Sequence, residues 1–178
     1  MVERHGSEVA AELRKSERKR LIESIGIIDG VLAKTDLPES TIVYRGHKMI
    51  VPAGKDPVEY IRSHYKVGSQ YSKESYGSTS LNPSIGAYFA GKPTSKTDNG
   101  QTKVGVVFEM ATTEGAPLRT LSSVQNEDEI LLPRNKKFRV AGVYESIAFE
   151  SVDLDEESDV LRTKNQTAKH IVIRLIEA

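Results

Sequence analysis

The chain has no cysteine among its 178 residues, which excludes disulfides, a thiol nucleophile and every cysteine-based metal site. It also has no net charge. With 25 Lys and Arg against 25 Asp and Glu, no overall field draws it to a polyanion, and no nucleic-acid partner is expected. No apolar run approaches the roughly 18 residues of a membrane-spanning helix, so no membrane partner is expected either. The first twenty residues are charged and lack the apolar centre of a secretory signal. Delivery by another route, or membership of a longer chain, is the expectation. The four histidines, His5, His47, His64 and His170, show no ligand spacing such as H-E-x-x-H, and no metal is expected. What is left for chemistry is carboxylate, hydroxyl and guanidinium.

The length suits a single domain, 1–178, with room for a sizeable core. Residues 1–40 read as a helical part and 41–178 as a β core. In the helical part Val9, Leu13, Leu21, Ile25, Ile28 and Leu32 recur at helical spacing, which predicts a helix over 7–34. Ser7 is its expected N-cap, Gly26 or Gly30 a candidate break, and Thr35-Asp36-Leu37-Pro38 the stop. The basic run 14–20 reads as a solvated helix face. Beyond Ser40 short strands are predicted at 41–44, 78–81, 104–110, 129–132, 138–147 and 170–176. Helices are predicted at 57–65, opened by Pro57, and at 85–90. Residues 67–75 and 91–102 read as polar loops, and the acidic stretch 153–159 as a surface connector. A helical cap on a mainly β core is an α+β arrangement.

Three motifs carry chemistry. Tyr44-Arg45-Gly46 follows an apolar run, and Tyr76-Gly77-Ser78-Thr79-Ser80-Leu81 follows a polar loop. Glu127-Asp128-Glu129 runs into Ile130-Leu131-Leu132-Pro133-Arg134. In an extended chain Glu127 and Glu129 point the same way. Like charges so close disfavour each other's ionisation, a cost that an arriving cation would relieve. Taken singly, Arg45 reads as a surface arginine, Ser78-Thr79-Ser80 as a polar strand end, and the two acids as a solvated turn. Their order along one chain is what distinguishes them.

In that order the motifs resemble the Arg/Ser-Thr-Ser/Glu-x-Glu class of mono-ADP-ribosyltransferases, which includes bacterial toxins and phage-carried enzymes. The similarity covers roughly 42–140. The most specific block is Glu127-x-Glu129-Ile-Leu-Leu-Pro-Arg with Lys137-Phe138-x-Val140. The resemblance implies a mixed β-sandwich core of the ADP-ribosyltransferase type behind the N-terminal helical cap. It implies NAD as substrate, with no metal, and transfer of ADP-ribose to a protein side chain with loss of nicotinamide, chemistry related to glycoside hydrolysis. It also implies action in the cytoplasm of a host or rival cell, after secretion or carriage in a virion.

Site residues follow from the resemblance position by position. Arg45 is implied to hold the NAD phosphates, where a guanidinium fork suits paired anionic oxygens, and Gly46 to let the backbone approach the cofactor. Ser78 is implied to orient the catalytic Glu129, while Thr79 and Ser80 shape the nicotinamide pocket. Phe89, eleven residues after Ser78, is implied to pack on the nicotinamide ring. Glu129 is implied to bond the ribose 2′-hydroxyl and stabilise charge at the anomeric carbon. Glu127 is implied to meet the acceptor, with 121–126 as the acceptor loop. Glu at position 127 favours arginine as acceptor. The family's phosphate–nicotinamide loop often holds an Arg, whereas 91–102 here offers only Lys92 and Lys96. Water as sole acceptor, making the protein a NAD glycohydrolase, and a non-catalytic interaction domain of the same fold are the alternatives.

Overall fold

The structure, a computed structural model, describes residues 2–118, 128–155 and 160–178. Its first element, α1 (Val2–Leu32), is one continuous helix. It starts ahead of Ser7, which is therefore no cap, because no proline precedes it and Gly6 alone costs a helix only about 1 kcal/mol. It runs through Gly26 and Gly30 for the same reason. Thr35 closes it, its hydroxyl donating to the Val31 carbonyl at 3.0 Å. Among the described side chains of α1, burial is confined to its C-terminal turns. Leu32 is buried and Ile25 and Ile28 are half-buried, whereas residues 14–24 are exposed. Leu21, expected on the inward face, is 61% exposed. The basic run is solvated, and Lys19 pairs with Glu23 at 3.9 Å.

The β core begins at β1 (Asp36–Val51), earlier than the expected 41 and much longer than 41–44. Its register against a later strand shifts between Asp36 and Thr41, and that irregularity accommodates Pro38, which has no N–H to give a ladder. Helix α2 (Pro57–His64) is capped by Asp56, which accepts the Glu59 amide at 3.0 Å. Then come β2 (Gln70–Ser72), β3 (Gly77–Ser80) and α3 (Pro83–Ala90). Asn82 caps α3 by accepting the Ser84 amide at 2.9 Å. The remaining strands are β4 (Thr94–Lys96), β5 (Thr102–Glu114), β6 (Ala116–Pro117), β7 (Glu129–Leu132), β8 (Lys137–Asp155) and β9 (Val160–Glu177).

Both expected loops, 67–75 and 91–102, thus contain a short strand. β4 is three polar residues and β2 adds only Tyr71 to the main core, and each exists through its long neighbour: β2 pairs with β8 and β4 with β5. The expected acidic connector is partly strand, with Asp153 in register with Arg162; residues 156–159 lie outside the described residues.

The strands form one mixed sheet in the order β2-β8-β9-β5-β1-β3-β7-β6, with β4 on β5. All its pairings are antiparallel except β5 with β9. Along β1 and β5 side chains alternate between two cores. One face sends Val43, Val51, Val104, Val106, Phe108 and Met110 into a main cluster with Ile61 of α2 and Ile130 and Leu132 of β7. The other sends Val107 against Ala87 and Ala90 of α3. Each fully buried aliphatic here contributes about 1.5–3 kcal/mol. Among the described residues no helix is long and apolar enough to cross a membrane.

Beside this core Glu177, near the end of β9, accepts from Lys136 Nζ (2.7 Å), the Thr113 amide (2.8 Å) and the Thr112 hydroxyl (2.7 Å). Burial pushes its carboxyl up, but Lys136 and the threonine donors outweigh that and bring it down to about 2 from 4.5. A lowered pKa stabilises the fold above the unfolded value, and this contribution disappears as the pH falls through the folded value. The shift sets a ceiling of about 3 kcal/mol, reduced to about 1–2 kcal/mol by solvent at the ion pair. Urea unfolding of Glu177→Gln should show that loss at pH 7, shrinking between pH 4.5 and 2.

Candidate functional site

The β1-β3-β7 part of the sheet brings the Arg and Ser-Thr-Ser motifs together with Glu129. β1 joins β3 at one register position, Tyr44 opposite Ser80. β3 joins β7 at four, from Gly77 opposite Leu132 to Ser80 opposite Glu129. Arg45, the Ser-Thr-Ser run and Glu129 therefore lie on three neighbouring strands. Tyr44, Arg45, Gly46, Ser78, Thr79, Ser80, Ile85 and Phe89 line a cavity of about 260 Å³ between β1, β3 and α3.

Ser78, one of the lining residues, donates from Oγ to Glu129 Oε1 at 2.6 Å, a diagonal contact across the β3–β7 pair. Arg45 reaches in from β1, its Nη1 donating to the Ser78 carbonyl at 3.2 Å. Thr79, on the opposite pleat, is buried and donates to the Ile130 carbonyl at 2.7 Å. It holds the two strands together as well as lining the cavity. Ser80 is also buried, and its hydroxyl accepts the Asn82 amide at 3.0 Å, which turns the chain into α3. Phe89 stands 47% exposed on α3 at the cavity wall, edge-on to Tyr88 with ring centres 5.3 Å apart.

The entry to β7 is also fixed. Asp128 has φ +44°, a left-handed conformation that Asp tolerates better than most residues, and its carbonyl accepts the Leu81 amide at 3.2 Å. Glu129 follows directly, its carbonyl accepting the Leu118 amide at 2.8 Å. Glu127 and the expected acceptor loop 121–126 lie outside the described residues.

Two positions gain detail from the structure. Gly46 lines the cavity, but what comes close to it is helix α3: a Cβ there would sit 2.1 Å from the Ala90 nitrogen and 2.3 Å from the Gly86 oxygen. The glycine is required by helix–strand packing, whatever the cavity holds. Lys92 and Lys96 do not line this cavity. Lys92 lies on a separate one behind α3, with His170, and Lys96 donates to the Thr102 hydroxyl at 2.9 Å.

The cation beside Arg45 is Lys73, which follows β2 in a stretch that the sequence marks only as a polar loop. Arg45, Lys73, Lys136 and Gly77 line a smaller cavity under β3. Burial and then Arg45 pull the Lys73 ammonium below its usual range, and burial, Lys73 and Arg45 together do the same to His47. Two cations set this close favour an anion between them. Nothing in the polar run around Lys73 marks it, since its place depends on β2 pairing with β8. Among the described residues no group of three or more His, Asp or Glu could hold a metal.

Comparison with known proteins agrees with this fold. The family model for the ADP-ribosyltransferase exoenzyme matches residues 4–174. Among solved structures an ADP-ribosyltransferase from Clostridium botulinum is 18% identical, with a TM-score of 0.55 over 89% of this chain and 70% of its own. The enzymatic component C2-I of the C2 toxin, also from Clostridium botulinum, is 18% identical with a TM-score of 0.57 over 90% of this chain and 37% of its own. Vis toxin, an ADP-ribosyltransferase from Vibrio splendidus, is 19% identical with a TM-score of 0.53 over 88% of this chain and 56% of its own. At such identities the likeness is one of fold. No curated protein matches.

Gly46→Ala tests the helix–strand packing. The added methyl has only backbone to displace, so a loss of at least about 2–3 kcal/mol is expected in thermal or urea unfolding.

Proposed function

The chain belongs to the ADP-ribosyltransferase exoenzyme family, enzymes that use NAD as substrate, and we propose that it transfers ADP-ribose from NAD to an arginine of a target protein. The observation that carries this reading is the 2.6 Å bond from Ser78 to Glu129, with Ser78 and Arg45 lining one cavity. A hydroxyl that donates to a carboxylate fixes its orientation and leaves its second oxygen free for substrate.

In the reaction the bond between nicotinamide and ribose breaks, and nicotinamide leaves with the bonding pair. Positive charge develops on the ribose, and the Glu129 carboxylate stabilises it while holding the 2′-hydroxyl. The acceptor nitrogen then bonds the anomeric carbon and gives up a proton, for which Glu127 is the proposed base. Arg45 grips the pyrophosphate as a fork. Lys73 adds a second positive charge at the same place, the role that the sequence offers to Lys92 or Lys96. Phe89 offers an exposed ring for the nicotinamide to pack on, and Thr79 and Ser80 shape the floor.

Arginine is favoured as acceptor because a carboxylate at 127 pairs naturally with a guanidinium. A crystal structure of the ADP-ribosyltransferase Vis holds agmatine, itself a guanidinium compound. The target is proposed to be a protein in the cytoplasm of a host or rival cell, reached after delivery from the producer.

Incubation with NAD labelled in its adenylate phosphate should leave label on protein in a cell lysate. Glu129→Gln should abolish labelling, and undiminished labelling by that variant would refute the assignment. Glu127→Ala should keep NAD hydrolysis and lose transfer. Free ADP-ribose equal to the nicotinamide released, with no labelled protein, would make water the acceptor instead. Lys73→Ala should raise KM for NAD about tenfold, the worth of one charge-assisted phosphate contact, with kcat little changed in steady-state assays.

A further inference from the structure

Arg134 closes the most specific sequence block, yet the proposed chemistry leaves it without a task. Its side chain turns away from the cavity towards α1. There Nε donates to both carboxylate oxygens of Asp29, at 3.2 and 3.1 Å, and Nη2 donates to Oδ2 at 2.7 Å. The Tyr76 hydroxyl donates to the same carboxylate, Oδ1, at 2.6 Å and lies 3.1 Å from the Ile25 carbonyl.

Those two donors are not arbitrary neighbours. Tyr76 immediately precedes β3, and Arg134 follows β7 by one proline. Because β3 and β7 are antiparallel with Gly77 opposite Leu132, both donors stand at the same end of the strand pair that carries Ser78 and Glu129. The opposite end is held by β1 at Tyr44–Ser80 and by the Leu81 and Leu118 amides on the Asp128 and Glu129 carbonyls. Ile130 and Leu132 set the depth of the pair in the core, but apolar contacts are non-directional and do not fix its slide or tilt.

From this placement we infer that Asp29 is a positioning residue for the proposed transfer: through Tyr76 and Arg134 it anchors to α1 the end of the β3–β7 pair that the Asn135 amide on the Lys73 carbonyl otherwise closes, so that Ser78 meets Glu129. This rests on the functional reading above. The carboxyl of Asp29 is held below its usual range first by the hydrogen bond from Tyr76 and then by that from Arg134, so it stays charged at neutral pH. The Arg134 and Asp29 side chains are 43% and 36% exposed, and an ion pair that open contributes little to stability. Its effect on alignment is larger, since a misplacement of about 1 Å at reacting groups costs roughly 10²-fold in rate. That contrast separates alignment from mere scaffolding.

The test is Asp29→Ala in the full chain, with NAD hydrolysis, protein labelling and unfolding measured together. The expected result is a fall in kcat of about tenfold, the same factor for hydrolysis and transfer, with KM for NAD changed less than twofold and the melting temperature nearly unchanged. Arg134→Gln should give a similar fall, and the double variant should be little worse than either single one, because both remove one anchor. If Asp29→Ala does not fold, Tyr76→Phe removes a hydroxyl alone and should lower kcat about threefold. Wild-type kcat in a folded Asp29→Ala variant, or in Tyr76→Phe, overturns the positioning role while leaving the functional reading intact. Equal loss of activity and stability overturns it in favour of scaffolding. A wild-type chain that cleaves no NAD overturns the functional reading, and this inference with it.

Discussion

The contact from Ser78 Oγ to Glu129 Oε1 exists in only one register of β3 against β7. A slip of one residue would turn either side chain to the opposite face of the sheet, and the carboxylate would lose its partner. Much of the surrounding structure enforces that register. Thr79 bonds the Ile130 carbonyl from the other pleat, and the Asp128 carbonyl takes the amide of Leu81. The left-handed turn at Asp128 delivers Glu129 at the start of its strand. Arg45 reads the backbone of Ser78 from the neighbouring strand. The two short strands and their borders thus form a small rigid ribbon, fastened to the sheet at one end and to α1 at the other.

The sequence is most legible where chemistry and local patterning coincide. β7 is found at its expected residues because Ile130 and Leu132 alternate with more exposed neighbours. α2 and α3 follow Asp56-Pro57 and Asn82-Pro83, a capping side chain and a proline in the first turn. Less legible are features created by distant partners. β2 and β4 have no strand signature of their own, and the extra length of β1, β8 and β9 comes from ladders that polar residues join because their neighbours are extended. The same holds at the site. Motif and order mark Arg45, Ser78, Thr79, Ser80, Phe89 and Glu129, but they do not mark Lys73. Its charge matters only because folding carries β2 to the flank of Arg45.

α1 is where expectation and structure differ most. Its apolar spacing is genuine, but among its described side chains only those around Ile25, Ile28 and Leu32 are buried or half-buried, and Leu21, Ile22, Ile27 and Val31 remain exposed. Burial therefore accounts for the last turns of the helix, and the polar contacts of Asp29 account for its fixed orientation there. The distinction matters because non-directional packing tolerates small shifts that hydrogen bonds do not.

The strand order has a consequence for how the chain acquires its shape. β9 follows every other strand in sequence, yet it lies between β8 and β5 and supplies the sheet's parallel ladder. As the polypeptide leaves the ribosome, the centre of the sheet stays open until this strand emerges. Contacts so distant in sequence slow folding and prolong the exposure of unpaired edges. A chain translated from its N-terminus can make the helix and the early strands, but it cannot close the sheet before residues 160–177 have been made.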